Sequence, residues 1–383
     1  MLIAVAGLIG LVASPTEAFN ASKDALNLCV NVIIPTLFPF FVFSSLAVSL
    51  GLADILGKIF GGIMKPIFNV NGTCSAAFIL GLISGFPVGA KTAISLYQNG
   101  LCSKAEAERI LSFSNNAGPA FVLGTVGIGI WNSSYVGWLL WGTQVLSSII
   151  VGFIFGRIWK KKEKSQITEI KTKKSRVVRF IPSLTEAVKS AAMNLIYISS
   201  FIVFFAIIIK LLTVSGIIPS LANLLEDLIP IGDLSSKDYE NIISGIFEFT
   251  TGIKRIGNSA PYSHSLTLTA AILGWAGLSV HCQVLSFVYE SGLSPIPYVA
   301  GKAMQTVFSA IPVFIISKNI QLQDSVSAFA GYTESINYGM GSFLYLTLFS
   351  ALIAVLLTIT IFFILIQKEG ISVKSNFMLN RKD

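Results

Sequence analysis

Apolar residues run along this chain in stretches of two lengths, and the longer ones predict helices that cross a membrane. Crossing a bilayer as a helix takes about 20 apolar residues. The candidates are Leu2–Ala13, which is short, Leu26–Leu50, Ser134–Phe155, Ala187–Leu212, Pro297–Ile316 and Phe343–Ile366. Because these runs lack the alternating pattern of barrel strands, we expect spanning helices rather than a barrel.

Shorter elements fill the chain between these spans. Ser103-Lys-Ala-Glu106 matches a capping box, which predicts a helix starting after Ser103. The shorter candidates are Ala53–Phe68, Cys74–Ser84, Lys91–Gln98, Ser103–Ser114, Pro119–Ile130, Ile217–Leu228, Tyr239–Phe249, Leu266–Leu273 and Leu278–Glu290. Two of them, Ala53–Phe68 and Ile217–Leu228, have the length of helices that lie along a membrane surface.

Two of the apolar stretches are interrupted by glycine before they are long enough to cross a bilayer. They run over residues 81–91 and 245–255. Broken helices at corresponding positions of two halves are typical of the binding site of a transporter. The fold class predicted is an all-α polytopic membrane protein with two inverted-topology repeats, re-entrant helical hairpins and broken helices.

A nearly constant offset supports an internal repeat. A shift of 163 residues places Gly89 and Lys91 on Gly252 and Lys254. A shift of 162 places Ile110-Leu111 on Ile272-Leu273. Matching elements at a fixed spacing indicate repeated architecture.

Charge then sets the expected orientation. The chain has a net charge of +8, is 53% hydrophobic and is only 12% charged, against about 25% charged residues in soluble domains. A basic cluster lies between two spans, and the C-terminal tail is basic as well. The cluster contains Arg157, Lys160, Lys161, Lys162, Lys164, Lys171, Lys173, Lys174, Arg176 and Arg179. Since basic loops stay inside, we expect both segments in the cytoplasm, with the two halves facing opposite ways. Nucleic-acid binding is the disfavoured alternative for this cluster.

These features divide the chain into six predicted regions. They are a short N-terminal helix with its connector (1–24), a first repeat (25–157), a basic cytoplasmic loop (158–181), a second repeat (182–317), an external connector (318–341), and a C-terminal transmembrane helix with a cytoplasmic tail (342–383).

The first break offers an anion site. Gly85, Phe86 and Gly89 surround Pro87, so the helix must restart there with free backbone N–H groups. Lys91 adds a full positive charge that is costly in lipid. The alternative is a loop at the membrane surface with a snorkelling lysine.

The second break carries more polar groups. Glu248 precedes Thr250 and Thr251, and then come Lys254 and Arg255. The hydroxyls can bind a ligand, while the arginine can grip a carboxylate with two hydrogen bonds. Glu248 is the candidate for a coupling proton. The alternative is an interfacial pair between Glu248 and one of the two cations.

A polar interruption follows each break. Asn115 and Asn116 precede a Gly-Pro pair in the first half, and Ser279 lies in the matching stretch of the second half. We expect these three to contact substrate. The alternative for the asparagines is ordinary turn chemistry. His281 and Arg109 are weaker candidates, because a buried histidine or a local ion pair accounts for each.

Catalytic motifs are missing from the sequence. It has no nucleophile elbow, zinc-protease motif or phosphate loop. It contains two histidines, and its four cysteines lack metal-ligand spacing. We expect no enzyme activity, no metal and no cofactor, with the cysteines acting as buried apolar residues.

The motifs resemble one family. Ile34-Pro35-Thr-Leu-Phe-Pro39-Phe, Gly85-Phe-Pro-Val-Gly89-Ala-Lys91, Ser114-Asn-Asn-Ala-Gly-Pro119 and Thr-Thr-Gly252 resemble the YlbJ family of sporulation integral membrane proteins, which carry nucleoside-recognition (Gate) domains. The resemblance implies transport of dipicolinic acid during endospore formation, in a bacterial cell membrane, namely the outer forespore membrane of the mother cell. It also implies a likeness to concentrative nucleoside transporters. Glu248-Phe-Thr-Thr stands where those transporters have Gln-Thr-Glu, which disfavours a nucleoside.

The sequence thus predicts an alternating-access transporter of a small organic anion. For dipicolinate, Lys91 would bind one carboxylate and Lys254 with Arg255 the other, while Phe86, Phe249 or Trp275 would cover the ring. A nucleoside or other small-metabolite transporter is the alternative with the same fold. A non-transporting scaffold for spore cortex or coat assembly is the alternative of another class. Expected partners are the solute, the lipid bilayer and a second copy in a homo-oligomer, without nucleic acid.

Overall fold

The structure is a computed structural model, and it describes residues 2–159, 180–228, 234–257 and 262–319. Predictions for the connector 320–341, the span Phe343–Ile366, the tail and most of the basic loop lie outside the described residues. Every element within those ranges is a helix.

Fifteen α-helices, two π-helices and one 3₁₀ turn make up the described part of the chain. In the first half they are α1 Leu2–Ala13, α2 Pro15–Leu28, the π-helix Cys29–Ile33, α3 Ile34–Ser49, α4 Leu52–Phe68, the 3₁₀ turn Gly72–Cys74, α5 Ser75–Ser84, α6 Val88–Gln98, α7 Lys104–Leu111, the π-helix Ala120–Ile130 and α8 Ser134–Ile158. In the second half they are α9 Phe180–Val214, α10 Ile217–Leu228, α11 Ser236–Phe247, α12 Phe249–Ile256, α13 Tyr262–Trp275, α14 Gly277–Ser291 and α15 Ile296–Asn319.

Four helical segments in these ranges are long and apolar enough to cross a membrane. They are Ser134–Ile158, Phe180–Val214, His264–Ser291 and Ile296–Ser317. Two bent pairs raise the number to six if each pair counts as one span: α2 with α3, bent by 55°, and α4 with α5, bent by 103°. The polytopic all-α fold predicted from the sequence is confirmed.

The order of elements repeats in the two halves. The series α3, α4, hairpin α5–α6, α7, the second π-helix and α8 is followed by α9, α10, hairpin α11–α12, α13, α14 and α15. Corresponding helices pack together, since α3 lies against α9 and α8 against α15. This order supports the repeat inferred from the residue offsets. The opposite orientation of the halves stays a prediction.

Glycine pairs close each hairpin. A Cβ built on Gly89 would lie 2.9 Å from the Gly81 Cα, between α5 and α6. A Cβ on Gly252 would lie 2.1 Å from the Gly245 Cα, between α11 and α12. Only glycine permits such close approach of two helix backbones. The repeated glycines therefore set the spacing of the two arms in each hairpin.

Two sequence predictions need correction. The element Tyr239–Phe249 is wrong at its end, because Glu248 adopts an extended backbone (φ −142°, ψ 111°) and caps the next helix. Three cysteines are buried as expected, but Cys282 is exposed. It lies on the outer face of α14, a position that the apolar sequence around it does not distinguish from the inner face.

Candidate solute-binding site between the hairpin tips

The first hairpin tip, Gly85–Pro87, is folded against the break in the next helix. Gly85 has φ +82°, a conformation that favours glycine. A Cβ on Gly85 would lie 2.6 Å from the Gly118 nitrogen. The tip thus contacts the Ser112–Pro119 segment, which we call the first break.

The second hairpin tip is Glu248. Its carboxylate is fully buried and accepts hydrogen bonds from the backbone N–H groups of Thr250 (3.0 Å) and Thr251 (2.7 Å). Burial raises the pKa of this carboxyl, and the hydrogen bonds from Thr251 and Thr250 oppose that rise. The carboxylate thus caps α12, and the alternative of a pair between Glu248 and Lys254 or Arg255 stays a prediction. Those N–H groups are accordingly not free for an external anion.

A second break lies beside this tip. Ala276 and Gly277 both have positive φ, 76° and 77°, and separate α13 from α14. A Cβ on Gly277 would lie 2.9 Å from the Phe249 nitrogen. In both halves, therefore, the hairpin tip touches the break of the following helix.

The two tips meet through aromatic rings. The ring centroids of Phe86 and Phe249 are 5.6 Å apart at an interplanar angle of 81°, and Phe121 lies 5.1 Å from Phe249. A mostly apolar cavity with about 510 Å³ of empty space, part of it open to the surroundings, lies at this junction. Its lining residues are Ile33, Leu37, Ser84, Gly85, Phe86, Ala117, Gly118, Phe121, Ile198, Ile202, Phe249, Thr250, Ser279, Val280 and Gln283.

Among the residues that the structure describes, three hydroxyls of this lining form no hydrogen bond of good geometry. They are Ser84 Oγ at the first tip, Thr250 Oγ1 at the second tip and Ser279 Oγ beside the second break. Their side chains are at most 2% exposed. A buried hydroxyl without a partner is unfavourable, so each such group calls for an explanation. A polar solute in the cavity would supply the missing partners.

The predicted cations lie elsewhere. Lys91 donates to Asn194 Oδ1 and lies 4.5 Å from the centroid of the Phe287 ring, and burial lowers its pKa. Lys254 is exposed, and Arg255 donates to Ser244 Oγ at 2.9 Å. None of the three lines the cavity. The structure does not bring the lysines together around one solute, and substrate contact at these positions stays a prediction.

Other predicted residues have structural roles next to the site. A Cβ on Gly89 would lie 1.9 Å from the Ser114 carbonyl oxygen. Thr251 contributes its backbone N–H to the Glu248 cap. Arg109 donates to the carbonyls of Trp159 and Asn69.

Asn115 and Asn116 form a buried hydrogen-bond network with residues of α15. Asn115 Nδ2 donates to the Tyr298 hydroxyl (3.4 Å), and Asn116 Oδ1 accepts from Gln305 Nε2 (3.2 Å). Lys302 Nζ donates to the Asn115 carbonyl oxygen (3.0 Å) and to Gln305 Oε1 (2.6 Å). These contacts link the first break to a helix of the second half.

Sequence reasoning missed Lys302, Gln283 and Phe121. Lys302 did leave a signal, since it is a charged residue inside the predicted span Pro297–Ile316, where charges are costly and functional by default. Phe121 and Gln283 leave no such signal in the sequence. A phenylalanine or a single amide in an apolar helix does not show which face of that helix lines the cavity.

Sequence comparisons with known proteins find two matches to this chain. A family model described as Gate, nucleoside recognition, matches residues 30–135. That range holds the first hairpin and the first break. The chain is 28% identical over 325 residues to the sporulation integral membrane protein YlbJ of Bacillus subtilis (strain 168), covering 80% of this chain and 79% of YlbJ.

A solved structure shares the fold. The structure of CNTnw in an outward-facing state, a concentrative nucleoside transporter, aligns with a TM-score of 0.51 and 12% identity, over 82% of this chain and 86% of that one. The resemblance read from the sequence motifs is therefore confirmed: residues 30–135 match the Gate model, and the chain is similar to YlbJ along most of its length.

Proposed function

We propose that this protein is a membrane carrier for a small organic anion, with dipicolinate as the candidate solute, and that it works by alternating access. One observation carries the proposal: the first tip and the first break line the same cavity as Phe249 and Thr250, which follow the second tip, and Ser279, which follows the second break. Two hairpins that each reach a shared site from their own half can close it one at a time. The fold shared with a concentrative nucleoside transporter supports transport as the activity.

The cavity suits a flat ring that carries polar groups. Phe86, Phe121 and Phe249 form an aromatic wall, against which a ring gains contact area. Ser84, Thr250 and Ser279 offer three unpartnered hydroxyls around it. Hydroxyls donate to carboxylate oxygens, and hydrogen bonds to charged groups are worth about 1.5–3 kcal/mol each. Gly85, Phe86, Thr250 and Ser279 are therefore the predicted residues that we keep as solute contacts.

The cations of the hairpins have a different role in this proposal. Lys91 ties α6 to α9 through Asn194, and Arg255 ties α12 to α11 through Ser244. Such contacts hold a hairpin in place and can exchange when it opens. Glu248, as the cap of α12, is a candidate for proton coupling only if the cap breaks during transport.

A nucleoside is the second candidate solute. The Gate match favours it, and so does a cavity lining without charged residues, because hydroxyls and the amide of Gln283 suit neutral ring substituents and sugar hydroxyls. The sequence Glu248-Phe-Thr-Thr at the second tip argues against it. A scaffold in spore assembly needs no solute site, so the unpartnered buried hydroxyls argue against that alternative.

Uptake by proteoliposomes distinguishes these functions. We expect purified protein to take up labelled dipicolinate with saturation, and unlabelled nucleosides in tenfold excess to leave that uptake unchanged. Competition by nucleosides would instead favour the second candidate. Uptake of neither solute above that of protein-free liposomes would overturn the carrier proposal.

The cellular setting follows the relative. The relation to a sporulation membrane protein supports a role in a bacterial membrane during spore formation, with the basic loop 158–181 and the C-terminus in the cytoplasm. Reporter fusions at the C-terminus, read in sporulating cells, test both the membrane and the orientation.

A further inference from the structure

A lysine lies buried in the middle of a spanning helix, next to the cavity. Lys302 is on α15, inside the candidate span Ile296–Ser317, and is 1% exposed. Taking an ammonium group out of water is expensive, and it persists in a membrane protein where other groups compensate for it. The groups around Lys302 therefore indicate its role.

Its immediate partners are neutral. Lys302 Nζ donates to the Asn115 carbonyl oxygen and to Gln305 Oε1. No acidic residue within the described ranges forms an ion pair with it.

Few carboxylates lie on the helices packed against α15. The sequences of α8 and α13 contain no aspartate or glutamate. On α7, the Glu108 carboxylate accepts instead from Trp159 Nε1 and from the Ser294 backbone N–H, both at 3.1 Å. The other titratable groups nearby are His281 and Tyr298, whose rings lie 5.3 Å apart, and Arg109, which adds positive charge.

This ammonium group, which forms no ion pair within the described ranges, lies directly behind the wall of the cavity. Lys302 Nζ is 5.2 Å from the centroid of the Phe86 ring, and Phe86 lines the cavity. The Asn115 carbonyl that holds the ammonium belongs to the first break, two residues before Ala117, which also lines the cavity. In such surroundings a charge is weakly screened, so it acts across one ring. An anion in the cavity would therefore be attracted by this ammonium group.

We propose that Lys302 is the residue that makes this site select an anion, and that Asn115 and Gln305 position it. This inference rests on the proposed function and assigns the charge selectivity to a residue outside the hairpins. Lys302 acts through space on a solute held by the hydroxyls of Ser84, Thr250 and Ser279. The solute class is an aromatic ring that bears carboxylates.

The test compares two labelled solutes of the same shape. Dipicolinate is a dianion, and pyridine-2,6-dicarboxamide is its neutral counterpart. We expect wild-type proteoliposomes to prefer dipicolinate by at least about tenfold in uptake efficiency, and the variant Lys302→Met to lose most of that preference, because the attraction of one weakly screened charge is removed. Lys302→Arg keeps the charge and should keep the preference.

A second variant separates charge from structure. Gln305→Glu places a carboxylate within reach of the same ammonium, so it neutralises the charge while Lys302 stays in place, and it should reduce the preference as well. Lys210→Met is the matched control, because Lys210 is on α9 and pairs with Glu17 at 2.6 Å, away from the cavity lining.

The outcomes are distinct. An unchanged preference in Lys302→Met overturns the inference and leaves the carrier function standing. Loss of both uptakes in Lys302→Met and Gln305→Glu, at normal protein levels in the membrane, shows a structural role and also overturns it. If the wild-type protein carries neither solute, the proposed function falls and this inference falls with it.

Discussion

The rings of Phe86 and Phe249 meet nearly at right angles, with centroids 5.6 Å apart, although 163 positions separate them in the chain. One belongs to the first hairpin tip and the other begins the helix that follows the second tip. Both rings line the cavity between the two hairpins. A hairpin that opens must part these rings, so the contact is a natural point of control for access to the site.

Parting the rings should become easier when one of them is removed. We expect Phe249→Ala to destabilise the protein by about 3 kcal/mol, because the side chain is 8% exposed and packs against two other rings. The substitution should also raise solute leak through the carrier. Thermal unfolding in detergent and efflux from preloaded proteoliposomes measure the two effects. A stable variant without leak would show that the ring contact is not a closure.

The unpartnered hydroxyl of Thr250 should matter for the solute and little for stability. Thr250→Val keeps the shape and removes an unbonded buried hydroxyl, so unfolding should change by less than about 1 kcal/mol. The half-saturating concentration of the solute should rise about tenfold, the equivalent of one lost hydrogen bond.

Thr143→Val is the matched control for Thr250→Val. Its hydroxyl is also buried but already donates to the Leu140 carbonyl at 3.0 Å. This control should leave half-saturation unchanged. Equal effects of the two substitutions on uptake would remove Thr250 from the site.

Close approach of the hairpin arms predicts a strong effect at Gly252. Gly252→Ala places a Cβ 2.1 Å from the Gly245 Cα, so the arms must separate, and we expect a loss of about 1–3 kcal/mol in unfolding free energy. Gly142→Ala is the control, since nothing lies within 4 Å of its added Cβ. A neutral Gly252→Ala would contradict the spacing role of the glycine pair.

Glu248 predicts a dependence of stability on pH. Burial raises the pKa of the carboxyl above its ordinary 4.5. A raised pKa means that the folded protein holds this proton more tightly, so its contribution is complete below pH 4.5 and is lost as pH rises through the folded pKa.

The variant Glu248→Gln cannot titrate at this position. As pH rises from 4.5, the melting temperature of the wild type should therefore fall relative to that of Glu248→Gln. A difference that stays constant with pH would show that the carboxyl does not titrate in this window. If the variant keeps uptake and its pH profile, Glu248 is a structural cap and not the coupling group.

Sequence patterns identified the helices well because hydrophobic length and capping are local. Leu2–Ala13 and Ile217–Leu228 match the structure at both ends, and Ser103 caps α7 as predicted. The tip at Gly85 was also visible, since glycine and proline interrupt the apolar run there, whereas the predicted helix Tyr239–Phe249 ran through the second tip at Glu248. Local patterns therefore located the first tip more sharply than the second.

The partners of charged side chains could not be read in the same way. Lys91 meets Asn194 on a helix 103 positions away, and Lys302 meets Asn115 across 187 positions. Such contacts depend on how the halves pack, which no local pattern encodes. The charge that faces the cavity was for this reason assigned to the hairpin lysines rather than to α15.

The central claim, one solute site reached from both faces of the membrane, is tested most directly by thiol labelling at position 250. In a variant without the four native cysteines, Thr250→Cys is treated with a membrane-impermeant reagent from each side in turn. We predict modification from both sides, slowed by saturating dipicolinate. Modification from one side only, unaffected by the solute, would contradict the account.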